Sequence, residues 1–172
     1  NFKYGYLVMR EKLPYKQGAW PSFWMKSTGK LVPRKPTDYF AEVDILEVFS
    51  SVHTLSPNLH KWYADGTHTQ YPGEKKESYR FENYYNLNEE YHLYGFEWTP
   101  EKMTMSIDGV DYMTFDLSYD FDEGGSMGGF HDCMYFMMSN HLFTEHGAYI
   151  PDPEAIANDY TKFPIEYCVG WV

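Results

Sequence analysis

The segment Tyr39-Phe-Ala-Glu-Val-Asp-Ile-Leu-Glu-Val-Phe49 alternates aromatic and aliphatic residues with acids, the pattern of a β-strand that has one wet face. Glu42 and Asp44 stand two apart and share a face. Strict alternation sends Glu47 to the opposite face, unless one extra residue is absorbed at Ile45-Leu46 as a β-bulge. With the bulge, Glu42, Asp44 and Glu47 line one side of the strand, while Val43, Val48 and a bulge residue cover the other. Taken alone, the stretch also fits a half-buried strand with a solvated acidic face.

The same short-strand rhythm continues on both sides. From Tyr4 to Leu13, alternation places Tyr4, Tyr6, Val8, Arg10 and Lys12 on one face and Leu7, Met9 and Leu13 on the other. Met103 to Ile107, Asp108-Gly109 and Val110 to Phe115 form the strongest hairpin, because Asp-Gly suits a two-residue type I′ turn. Between them, His92, Tyr94, Phe96 and Trp98 fall on one face of a strand. Cys133 to Asn140 reads as a buried strand and Ile165 to Val172 as the closing one. Residues 27–38 and 118–129 read as loops, and Asp152-Pro153-Glu154 opens the one short helix. Short alternating strands with almost no helix predict an all-β antiparallel β-sandwich, in a single domain over residues 1–172.

A net charge of −11 and the lack of a basic patch argue against nucleic acid and anionic membranes as partners. The charge argues more weakly against heavily sulfated polysaccharides, because a cleft can differ from the whole. No apolar run is long enough to span a membrane. Aromatic residues make up 20% of the chain, with 17 tyrosines and 5 tryptophans. Such rings stack on sugar faces, and they also fill sandwich cores. His53, His60 and His68 show no metal-ligand pattern. Cys133 and Cys168 can pair only if their strands are neighbours, and are otherwise thiols.

The acidic row suits chemistry on a glycosidic bond. Retention of configuration needs two carboxyl groups about 5–5.5 Å apart, one a nucleophile and one a general acid/base. Across the bulge, Glu42 and Glu47 behave like residues four apart, roughly 13 Å between Cα atoms at ~3.3 Å per residue. Two glutamates leaning together can close that gap, whereas aspartates would be too short. Asp44 between them adds negative charge, which favours the protonated form of a neighbour.

With its flanks, the row resembles the family-16 glycoside hydrolases, the laminarinase, agarase and carrageenase branch. Four stretches carry the resemblance: Tyr4 to Pro14 with Gly18-Ala-Trp-Pro-Ser-Phe-Trp24; Glu42 to Glu47 as E-x-D-x-x-E; Tyr91 to Pro100 running on to Gly109; and Phe136 to Asn140 with Ile165 to Val172. It implies a concanavalin A-like jelly roll with a concave substrate cleft. It further implies a retaining endo-glycosidase with Glu42 as nucleophile, Glu47 as acid/base and Asp44 holding and tuning Glu42. The bulged motif resembles the laminarinase side, so a β-1,3- or mixed-linkage β-glucan is the expected substrate. Agarose or another galactan comes second, and a non-catalytic glucan-binding module on the same fold is the rival.

The resemblance places further residues at the substrate: Arg10, Trp20, Trp24, His60, Trp98 and Asn140; Trp62 could be a further sugar platform, and His92 could hydrogen-bond a catalytic carboxylate. Each has a plainer reading, as a surface cation, a core tryptophan or a satisfied structural histidine. Gly170 stands where many members carry a calcium-binding aspartate, which argues against a structural calcium; no other cofactor is expected. Relative to the family the N-terminal strands are missing and the end is short. The chain is therefore expected to be a piece of a longer, secreted, extracellular protein whose signal peptide is not among these residues. It is expected to be a monomer, or to self-associate through exposed sheet edges.

Overall fold

The computed structural model describes residues 1–14, 19–28, 38–48, 54–71, 79–80, 87–117, 129–142 and 165–172. Among these residues there is no α-helix, and the strands form two five-stranded antiparallel sheets and one small pair. One sheet holds β1 (Gly5–Lys12), β8 (His92–Trp98), β9 (Lys102–Ile107), β10 (Val110–Asp116) and β12 (Cys168–Trp171), in the order β10-β9-β8-β1-β12. The other holds β2 (Ala19–Ser27), β3 (Tyr39–Glu47), β5 (Asn58–Tyr63), β6 (His68–Tyr71) and β11 (Met134–Leu142), in the order β11-β2-β3-β5-β6. The short strands β4 (Thr54–Leu55) and β7 (Tyr79–Arg80) pair with each other. This is the expected jelly-roll sandwich.

Alternation decides what each sheet buries. Met9 and Leu13 follow the inward side of β1, Tyr94, Phe96 and Trp98 that of β8, and Met103, Met105 and Ile107 that of β9. Phe23 and Met25 from β2, with Ala41, Val43, Ile45 and Leu46 from β3, meet them in one core. Glu11 lies fully buried on the same inward face, where alternation from Met9 to Leu13 carries it.

The bulge is present where the acids require it. Leu46 pairs with Phe23 and Asp44 with Trp24, so Ile45 has no partner on β2, and β5 pairing ends at Asp44. Ile45 and Leu46 both turn inward and are fully buried. The predicted hairpin is also present, with Asp108 and Gly109 at φ of 49° and 82°, as a type I′ turn demands.

Two expectations change. The stretch from Cys133 is not a buried strand: Cys133 precedes β11 and is exposed, and Tyr135, Phe136 and Met138 are exposed because, among the described residues, β11 is the edge strand of its sheet, with β2 on one side and a single bridge from Phe2 to Met134 on the other. Cys168 lies in the other sheet, and both cysteines are free thiols. The expected helix at residues 152–157 lies outside the described residues, as do most of both loops.

Candidate active site

Three adjacent strands build the acidic row. On β2, Lys26, Trp24 and Ser22 stand directly opposite Glu42, Asp44 and Glu47. Residues directly opposite in a ladder share a face, so Trp20, Ser22, Trp24 and Lys26 form a second row along the first. On β5, His60 stands opposite Glu42 and Trp62 opposite Phe40. The bulge puts Glu47 into this set; an unbroken strand would turn it into the core.

Each carboxylate of the row has a partner of its own. Lys26 Nζ is 3.2 Å from Glu42 Oε2. Asp44 is buried, and a carboxylate out of water requires compensation; His60 Nε2 supplies it at 2.8 Å from Oδ2. Trp20 Nε1 donates to Glu47 Oε1 at 3.1 Å. One ligand-type atom from each of Glu42, Asp44 and His60 all lie within 4.8 Å of one another. That spacing could also hold a small cation, but Lys26 already pairs with Glu42 and His60 with Asp44.

Aromatic rings flank the row on both sides. The Trp62 ring lies parallel to Phe40 (6.2 Å), His60 (6.0 Å) and His68 (3.8 Å). At the other side Trp24 Nε1 donates to Ser139 Oγ at 3.1 Å, and Ser139 Oγ is 2.6 Å from Ser22 Oγ. His141 packs against Trp20 at 5.5 Å. Lys26 Nζ lies over the Trp24 and Phe40 rings at 4.6 and 5.3 Å, cation–π contacts that fix the ammonium above Glu42.

The structure therefore gathers Glu42, Asp44, Glu47, Trp20, Trp24, His60 and Trp62 on one face. It does not bring the other four expected residues there. Arg10 is on β1 of the opposite sheet, its guanidinium 3.9 Å from the Tyr91 ring centre. His92, also on that sheet, bonds Asp108 Oδ2 at 2.7 Å and so ties β8 to the hairpin turn. Trp98 is buried in the core against Phe2 and Tyr4. Asn140 is on β11 but alternates with Ser139 and His141, so it sits on the other face of the strand. In each case strand parity or sheet membership overrides resemblance along the sequence.

Lys26, Ser22, Ser139 and His68 were not assigned to the site from the sequence. Lys26 had a signal, since alternation from Trp20 and Trp24 reaches it. His68 had one too, because the Asp65-Gly66 turn folds it back onto Trp62. As for the calcium site, Gly170 lies on β12, where a Cβ would fall 2.9 Å from Arg10 Nη1. The residues present do not supply that site's carboxylate.

The sequence profile of the glycosyl hydrolases family 16 matches residues 1–139. A beta-glucanase of Rhodothermus marinus is 25% identical over 123 residues, 67% of this chain and 38% of that protein. A beta-1,3-glucan-binding protein of Penaeus monodon is 28% identical over 145 residues, 76% of this chain and 36% of that protein. Among solved structures, a laminarinase from Flavobacterium sp. UMI-01 superposes with a TM-score of 0.69 at 25% identity, covering 98% of this chain and 65% of that one. The kappa-carrageenase of Pseudoalteromonas carrageenovora gives 0.72 at 24% identity, covering 97% and 62%, a likeness of fold. The chain thus spans little more than a third of these two curated relatives. With the profile covering most of its length and the E-x-D-x-x-E row built on the bulged strand of a jelly roll, the chain belongs to the glycosyl hydrolases of family 16.

Proposed function

We propose that the chain carries the active site of a retaining endo-glycosidase acting on β-1,3- or mixed-linkage β-1,3-1,4-glucan outside the cell. The observation that carries this reading is the bulge at Ile45, which sets Glu47 on the same face as Glu42 and Asp44. Glu42 attacks the anomeric carbon as the glycosidic bond breaks, while Glu47 gives its proton to the leaving oxygen. Glu47 then takes a proton from water, whose oxygen displaces Glu42 and completes retention. Lys26 holds Glu42 in place through their ion pair, the Trp20 N–H orients Glu47, and His60 compensates Asp44 between them. Trp20, Trp24 and Trp62 offer ring faces for neighbouring sugars, and the match to the Rhodothermus beta-glucanase supports a β-glucan.

Reducing-sugar release from laminarin, mixed-linkage glucan and agarose, with Glu42→Gln as control, tests the reading. Cleavage of a β-glucan that is lost in the variant is the expected result, and cleavage of agarose alone would move the substrate to a galactan. A second reading, a β-glucan-binding module without catalysis, draws on the Penaeus match. Binding of laminarin with no release from any polymer would favour it.

A further inference from the structure

His60 engages a partner at each ring nitrogen. Nε2 is 2.8 Å from Asp44 Oδ2, and Nδ1 is 2.7 Å from His68 Nε2. An ionised carboxylate only accepts, so the Nε2 of His60 carries hydrogen. Neutral His60 then has a bare Nδ1, which must accept from the Nε2–H of His68. The two rings lie 4.9 Å apart and 13° from parallel, and His68 also rests on Trp62 at 3.8 Å. His68 is exposed on β6, while His60 and Asp44 are buried. A hydrogen-bonded line thus runs from the surface to the middle of the acidic row.

We propose that His68 is a positioning residue for the glycosidase chemistry, holding the far nitrogen of His60 so that the ring keeps its Nε2–H on Asp44. The inference rests on the proposed reading of Glu42, Asp44 and Glu47. The carboxylate and the His68 donor select the same tautomer, one from each nitrogen. Without a donor at Nδ1, the Asp44 bond alone holds the ring, and a buried acceptor loses this partner. When the pair gains one proton, His60 becomes an imidazolium that donates at both nitrogens. The Asp44 bond is unchanged, and only the His60–His68 bond reverses direction. Among the described residues, the carboxylates of Asp44 and Glu42 on β3 lie beside His60, and Lys26 on β2 pairs with Glu42.

Two substitutions separate hydrogen bonding from stacking. His68→Gln keeps an N–H donor and loses the ring; His68→Phe keeps the ring on Trp62 and loses the donor. The tautomer of His60 is read from its imidazole nitrogen-15 shifts, and kcat and KM on the cleaved β-glucan are measured alongside. The expected result is an Nε2–H tautomer in all three proteins, with the Nδ1 resonance of His60 moving to that of a nitrogen that has lost its donor in His68→Phe and staying in place in His68→Gln. The kcat of His68→Phe should fall about tenfold at little change in KM, the scale of losing an orienting partner. An unmoved Nδ1 resonance or an intact kcat in His68→Phe, or damage in His68→Gln alone, overturns the proposal. Absence of cleavage by the wild type would count against the enzyme reading, while the nitrogen-15 result would still decide the role of His68.

Discussion

The hydroxyl of Tyr112 on β10 donates to the carbonyl of Ile45, across the core from the other sheet. Ile45 is the residue that the bulge leaves without a cross-strand partner. A buried carbonyl without a partner costs about 1–3 kcal/mol, so the tyrosine hydroxyl stabilises the bulge itself. Tyr112 is fully buried, and burial pushes its ionisation well above the ordinary range, keeping the hydroxyl a donor. Tyr112→Phe should lower stability by about that amount in urea melts and reduce kcat, because the bulge alone sets Glu47 beside Glu42. Full stability in the variant would show that the bulge needs no such bond.

Trp20 reaches Glu47 with its indole N–H, and nothing in phenylalanine replaces it. Trp20→Phe should lower kcat by roughly tenfold, in line with a loss of about 1.4 kcal/mol. A rise in KM with kcat intact would instead make Trp20 a sugar platform and nothing more.

Lys26 and Glu42 form an ion pair in the acidic row, on the carboxylate proposed as nucleophile. Lys26→Met leaves Glu42 without that partner and should cut kcat/KM by at least tenfold, and Lys26→Arg should restore part of it. Equal loss in both variants would point to a steric fault. Melts of all three proteins check that the fold survives.

Glu11 gives the stability a pH dependence of its own. Its carboxyl is pushed up from the ordinary 4.5 to about 8, mainly by burial, with the hydrogen bond from Tyr167 at 2.5 Å pulling the other way. The folded chain therefore holds this proton between about pH 4.5 and 8, where the unfolded chain has released it. Stability from this group is complete below 4.5 and is lost as the pH rises to about 8. The loss is on the order of a few kcal/mol. Glu11→Gln should flatten it, so that the variant gains on the wild type between pH 5 and pH 8.5 in urea melts. A gap between the two that is the same at both pH values would sink the assignment.

Gly95 has no room for a side chain. A Cβ there would lie 2.4 Å from Ser106 Oγ and 2.8 Å from Tyr6 Oη. Both neighbours would have to swing away, so Gly95→Ala should cost about 1–3 kcal/mol, as overpacking does. The paired variant Gly95→Ala with Ser106→Ala should recover part of it in a thermal melt.

The strands and their faces were legible because alternation is a local property. Tyr4 to Leu13, the Asp108-Gly109 hairpin and the acid-bearing strand could each be read without knowing what packs beside them. Even the bulge followed from a local argument: three acids on one strand can share a wet face only if one residue is absorbed between Asp44 and Glu47. Resemblance along the chain was a weaker guide to the site. It put Arg10 and Trp98 at the substrate, but those residues lie on strands of the opposite sheet, as does His92. Asn140 failed by a single step of parity.

The sequence by itself determined the antiparallel β-sandwich class and the bulged row of Glu42, Asp44 and Glu47, because these depend on spacing within single strands, and the resemblance of four stretches to the family sharpened the class to a jelly roll. Only the tertiary structure decided the partners: Lys26 for Glu42, His60 and His68 for Asp44, Trp20 for Glu47, Tyr112 for the bulge. Those contacts join residues from 8 to 67 positions apart. Strand order and register bring them together, and apart from the Asp65-Gly66 turn that folds His68 back, no local pattern encodes either.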